Sequence, residues 1–187
     1  NADGALNGAA LLPGYRQLFY RLSACATDAL PQYIAASDEH LAFRGRFDRQ
    51  SAFGPRAAWP AVELNFRFQG SEANVLVQDT PVWPDADSPL TGNDLQVVLD
   101  NATTSTVMLT RDRQRYRIAS GLAAGTHEVR LVKRTEALVG DLQFVGVELP
   151  ADGVLLAPSP APTRRLELIG DSVTAGYGNE APDETHH

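Results

Sequence analysis

The chain has 187 residues, enough for one domain and part of a second, and its 43% apolar and 21% charged side chains allow a substantial core. Sixteen basic against 23 acidic residues give a net charge of −7, and no basic run exceeds two residues. That excludes a nucleic-acid surface and gives no reason to expect an anionic membrane partner. A single cysteine excludes an internal disulfide and a two-cysteine zinc site, and no stretch approaches the ~20 apolar residues of a membrane span.

Residues 1–38 are rich in Ala and Leu with little periodicity, and read as an N-terminal extension or a first strand. Leu22-Ser23-Ala24-Cys25 has the shape of a bacterial lipoprotein cleavage box. The eight residues before it, 14–21, are too polar for the apolar stretch of a signal peptide, so a structural Cys25 is favoured over a lipid anchor.

From 39 to 149 the pattern is β. Val62, Leu64, Phe66 and Phe68 alternate with Glu63, Asn65 and Arg67, which puts the apolar set on one face of a strand. Further runs follow at Val75–Val77, 95–99, 106–109, 116–118, 126–132 and 142–149, separated by Gly, Asn and Asp. Strands at this spacing, with no amphipathic helix between them, predict an all-β sandwich of the jelly-roll kind. Pro150, Pro158, Pro160 and Pro162 then stiffen 150–163, which reads as a linker between domains.

The last segment, 164–187, carries the chemistry. A short apolar run, Leu166-Glu167-Leu168-Ile169, stops at Gly170-Asp171-Ser172, and Gly176 and Gly178 follow. An apolar strand ending in a glycine turn that bears a serine is how α/β hydrolytic folds expose a nucleophile, with the next backbone N–H groups free to face an oxyanion. The bland alternative for Ser172 is a helix N-cap, a role compatible with the first. Asp171 reads as a turn former that hydrogen-bonds backbone, not as a triad acid. Gly176 reads as a point of close backbone approach, and Tyr177 as a flanking ring for a sugar to stack on.

The block from Arg164 through Ser172 to Glu180 resembles the first conserved block of the SGNH, or GDSL-type, hydrolases, and more narrowly carbohydrate esterase family 2. Phe43-Arg44-Gly45-Arg46-Phe47, Ala58-Trp59-Pro60 and Val132-Lys133-Arg134-Thr135-Glu136 resemble that family's β-domain, so the likeness covers about residues 40–180. It implies a jelly roll followed by the first strand and turn of an α/β SGNH domain. It also implies a secreted or periplasmic bacterial enzyme that removes O-acetyl groups from plant polysaccharides such as xylan or glucomannan. Ser172 would be its nucleophile, and the Ser172 N–H one donor of its oxyanion hole.

The family's other oxyanion donors, a Gly and an Asn, and its catalytic His come from later blocks that do not occur in these 187 residues. The expected partners are therefore an acetylated polysaccharide or oligosaccharide and the remainder of the SGNH domain. No nucleic acid, membrane span, cofactor or metal is expected. The 187-residue chain alone is expected to lack its base: His40 and His127 lie in the β-domain, and His186 and His187 do not match the late block. Trp59 and Trp83 are weaker stacking candidates, and Asp85-Ala86-Asp87 lacks the ligands and spacing of a calcium loop. Two other functions stay open: a carbohydrate-binding sandwich without turnover, and a GDSL-type esterase acting on other acyl esters.

Overall fold

The computed structural model describes residues 30–81, 92–164 and 166–178. Its strands are β1 Gln32–Ala35, β2 Ala42–Arg44, β3 Arg56–Ala57, β4 Glu63–Gln69, β5 Ala73–Pro81, β6 Asp94–Leu99, β7 Thr103–Met108, β8 Asp112–Ala119, β9 Thr126–Lys133, β10 Gly140–Leu149 and β11 Val154–Leu156. A 3-10 turn, Ala137–Val139, joins β9 to β10, and no α-helix occurs among the described residues. Cys25, Trp83, the Asp85-Ala86-Asp87 cluster, Asn179, His186 and His187 lie outside the described residues.

All pairings are antiparallel and build two sheets. One runs β1-β10-β5-β8, with β3 beside β1 on the same edge of β10. The other runs β11-β4-β9-β6-β7, with β2 beside β11 on the same edge of β4. Successive long strands mostly cross from one sheet to the other, and the two inner faces close on a common core, as the alternation in β4 requires. Leu64, Phe66 and Phe68 are fully buried and meet a core that includes Val75, Val77, Phe144 and Val147 from the facing sheet. Each buried phenylalanine contributes roughly 1.5–3 kcal/mol. Phe43 and Phe47, 5.3 Å apart, pack on Phe144 at one margin of this core.

Two features extend the sequence reading. Val154–Leu156, inside the proline-rich stretch 150–163, pairs with β4 from Gln69 to Arg67. Pro150 and Pro158 flank this edge strand without interrupting its ladder, and an edge is where proline is tolerated. β5 is also longer than the Val75–Val77 run suggests, because it continues through polar residues to Pro81.

One of those residues, Asp79, belongs to a buried polar cluster. Its carboxylate accepts the Asn93 backbone N–H at 3.0 Å and the Asn93 Nδ2 at 2.7 Å. Thr135 Oγ1 donates to Asn93 Oδ1 at 2.6 Å. Lys133, 1% exposed, donates to the carbonyls of Thr135 (2.6 Å) and Glu136 (3.1 Å) and to Thr135 Oγ1 (3.1 Å). Burial pushes its ammonium down from 10.5 to about 8, against the opposing pull of Asp79, Asp141 and Glu136.

A lysine depressed in this way contributes stability that is complete above 10.5 and is lost as pH falls through about 8. Unfolding free energy is therefore expected to rise between those limits by up to about 3 kcal/mol from this group. Urea titrations of the wild type and Lys133→Met across that range check it, since the variant should lack the rise.

Candidate active-site turn

Residues 171–178 form consecutive turns ordered by their own backbone. The Ala175 N–H donates to Asp171 O (3.1 Å), Gly176 N–H to Val173 O (3.0 Å) and Tyr177 N–H to Ser172 O (2.8 Å). Asp171 Oδ1 accepts the N–H groups of Val173 (3.1 Å) and Thr174 (3.4 Å), so Asp171, not Ser172, caps the turn. The sequence suggested a helix starting here; only these turns form. Gly176 and Gly178 adopt φ of 85° and 70°, the left-handed backbone that ends a helix.

Glycine is also required at 170, where a Cβ would run into the Thr174 side chain. Asp171→Ala is expected to free two N–H groups and loosen the turn by about 1 kcal/mol. Faster amide exchange at Val173 and Thr174 would report it, with β4 and β9 amides unchanged.

The Ser172 side chain is exposed, and among the described residues neither its hydroxyl nor its N–H is used in a hydrogen bond. Ser172, Asp171, Gly176 and Tyr177 thus share one turn whose hydroxyl is open to an incoming group. The expected strand at 166–169 does not form. A strand needs a neighbour to complete its hydrogen bonds, and no described residue pairs with this segment. Leu166, Leu168 and Ile169 stand exposed instead.

No histidine is brought to Ser172 among the described residues. His127 Nδ1 lies 2.8 Å from Asp100 Oδ2, and its Nε2 lies 2.9 Å from Ala123 O. Both ring nitrogens face acceptors, so both must donate, which favours the imidazolium. The hydrogen bonds to Asp100 and Ala123 accordingly raise the His127 pKa above its ordinary value, against the effect of burial. A doubly donating imidazolium has no lone pair with which to act as a base. It ties the β6–β7 hairpin tip to β9, where Asp100 also accepts the Glu128 N–H at 2.8 Å. His40 hydrogen-bonds Asp38 at 3.0 Å.

Trp59 is a half-exposed loop residue with the Arg46 guanidinium 5.3 Å over its ring. Among the described residues no cluster of three His, Cys, Asp or Glu is placed to hold a metal, and no helix is long and apolar enough to cross a membrane. The sequence reading gave no role to Glu136, whose Oε1 accepts the Gly178 N–H at 3.3 Å and so ties the turn to the sandwich. No periodicity marks this residue. Its neighbour Lys133 fixes the loop by binding the Glu136 carbonyl.

A two-sheet antiparallel sandwich leading into a Gly-Asp-Ser turn defines a β-sandwich module joined to a serine-bearing segment. Residues 43–160 match the carbohydrate esterase 2 N-terminal domain, and the chain belongs to that family. It is 40% identical over 141 residues to Cellulase/esterase CelE of Acetivibrio thermocellus, covering 75% of this chain and 16% of that protein. An acetylxylan esterase / glucomannan deacetylase of Cellvibrio japonicus is 28% identical over 163 residues, 84% of this chain and 42% of the relative. A family two carbohydrate esterase from Clostridium thermocellum, solved in complex with cellohexaose, matches with a TM-score of 0.66 at 33% identity. That match covers 77% of this chain and 41% of the solved one. The chain therefore spans less than half the length of each of these relatives.

Proposed function

We propose that the protein to which this chain contributes is a secreted serine esterase that removes O-acetyl groups from plant cell-wall polysaccharides, xylan or glucomannan among them. The observation that carries this reading is the capped Gly170-Asp171-Ser172 turn with its hydroxyl exposed, on a chain of the carbohydrate esterase 2 family. The relatives named as acetylxylan esterase and glucomannan deacetylase support the substrate class.

In this mechanism Ser172 Oγ attacks the acetyl carbonyl carbon as a histidine base removes the hydroxyl proton. The oxyanion that forms is held by the Ser172 N–H and by donors from the remainder of the SGNH domain. Collapse expels the sugar oxygen, which takes the proton, and leaves acetyl-Ser172. Water, deprotonated by the same base, then releases acetate and restores the hydroxyl. Among the described residues no histidine reaches Ser172, so the base of this mechanism comes from outside them, and the 187 residues alone are expected to release no acetate.

The test measures acetate released from acetylated xylan and acetylated glucomannan by the protein extended through its SGNH domain, beside a nitrophenyl acetate-to-octanoate series. Acetate release, falling with acyl length, is expected. Hydrolysis favouring octanoate, or no acetate from either polysaccharide, overturns the reading.

A further inference from the structure

A second feature lies elsewhere on the molecule, on the β1/β3 side of the β10 sheet. A half-open cleft of about 430 Å³ lies between the chain leaving β1, the loop 49–55 before β3, and Val145 and Arg113 of the sheet. That volume falls in the range of about 300–1,000 Å³ typical of small-molecule sites. The Ser172 turn does not line it; that turn meets the sandwich at Glu136.

Two aromatic rings at the cleft are held exposed by rigid surroundings. The Tyr33 hydroxyl donates to Val145 O at 2.9 Å. Its ring packs closely on Gly146, where a Cβ would come within 2.7 Å of it. Val145 is the bulged residue of β10, so its carbonyl is turned toward Tyr33 and also accepts the Ala36 N–H at 2.9 Å. The ring is thereby held in place, while Tyr33 stays 53% exposed.

Phe53 is 60% exposed, yet the loop that carries it is pinned to the sheet. Gln143 Nε2 donates to Ser51 Oγ (2.7 Å) and Gly54 O (2.8 Å), and the Phe144 N–H donates to Pro55 O (3.0 Å). A loop so anchored that still presents a phenylalanine outward is a platform, not a loose surface.

The charges around these rings balance. Asp38 and Glu39, two acidic residues, and Arg49 and Arg113, two basic ones, line the cleft. Arg113 also stacks over Phe53 at 5.4 Å, which fixes both side chains. An anion or a cation would meet as much repulsion as attraction here. A neutral ring with an apolar C–H face and equatorial hydroxyls finds an aromatic surface for the one, and donors and acceptors of both signs for the other.

We propose that this cleft is a non-catalytic binding site for a neutral β-linked oligosaccharide, separate from the acetyl-transfer turn. It would hold the polysaccharide on the sandwich whether or not Ser172 is the nucleophile.

Isothermal titration of the 187-residue chain with cellohexaose, xylohexaose and mannohexaose tests it, with hexagalacturonate as an anionic control. Saturable binding of at least one neutral hexasaccharide is expected, with none of the anionic one. Phe53→Ala, at an exposed position that leaves the fold intact by circular dichroism, is expected to weaken binding by about tenfold or more. Glu39→Gln should weaken it by a smaller factor. Ser172→Ala should leave affinity unchanged, which separates this site from the esterase reading. No binding of any neutral oligosaccharide, tighter binding of hexagalacturonate, or binding that survives Phe53→Ala and Glu39→Gln together overturns the proposal.

Discussion

On the proposed esterase reading, replacing Ser172 with alanine is expected to lower kcat for acetate release by about 10⁴-fold or more in the full-length protein. The substitution removes one oxygen from an exposed side chain that makes no hydrogen bond among the described residues. Folding stability should therefore hardly change, and neither should the affinity for a polysaccharide chain. The loss falls on kcat because no other group on the turn can form the acyl intermediate. Asp171 has its carboxylate engaged with two backbone N–H groups, and Thr174 packs over Gly170. The measurements are acetate release from acetylated xylan and the initial burst with nitrophenyl acetate. Both should vanish while the thermal midpoint stays put. A rate within tenfold of wild type would remove Ser172 from the chemistry.

The contrast between that turn and the rest of the chain shows what a sequence makes legible. The inner strands β4, β6 and β9 were readable because each is long enough for a period of two to repeat and buries one face, and β10 because its apolar residues run through a strand buried along most of its length. β1, β2, β3 and β11 hold two to four residues apiece, too few for any period, and they form only because β4 and β10 offer an open edge. The Gly-Asp-Ser turn was legible from local chemistry alone, since glycine at 170 and 176 and a capping aspartate act within a few residues. The strand expected at 166–169 was not settled locally, because its partners would have to come from another segment. The Tyr33–Phe53 cleft was invisible for the opposite reason: its groups come from residues far apart in the chain, and a tertiary contact with a bulged strand sets each of them.

The buried polar cluster was hidden most deeply, since Asp79 and Lys133 look like surface residues in a strand, and its removal should have the largest effect on stability. Asp79→Ala is expected to destabilise the sandwich by about 3–5 kcal/mol, lowering the unfolding midpoint by roughly 10 °C. Asp79 and Asn93 are almost entirely buried, so water cannot replace the lost carboxylate at the Asn93 N–H and Nδ2. The Lys133 ammonium would also lose a carboxylate that opposes its desolvation. Asp79→Asn keeps one acceptor oxygen but turns an NH₂ group toward a donor, so it should fall between wild type and alanine.

The pH dependence has a definite sign. Burial raises the Asp79 carboxyl above its ordinary 3.8 in spite of the Asn93 hydrogen bonds. Its titration therefore adds stability that is complete below 3.8 and is lost as pH rises through the folded-state value. The alanine variant lacks that term, so its deficit should be larger at about pH 4 than at neutrality. Urea unfolding at the two pH values measures this directly. A deficit under 1 kcal/mol would mean that Asn93 and Lys133 are satisfied without Asp79, and one that grows toward neutral pH would mean that the Asn93 hydrogen bonds outweigh burial and hold the carboxyl below its ordinary value.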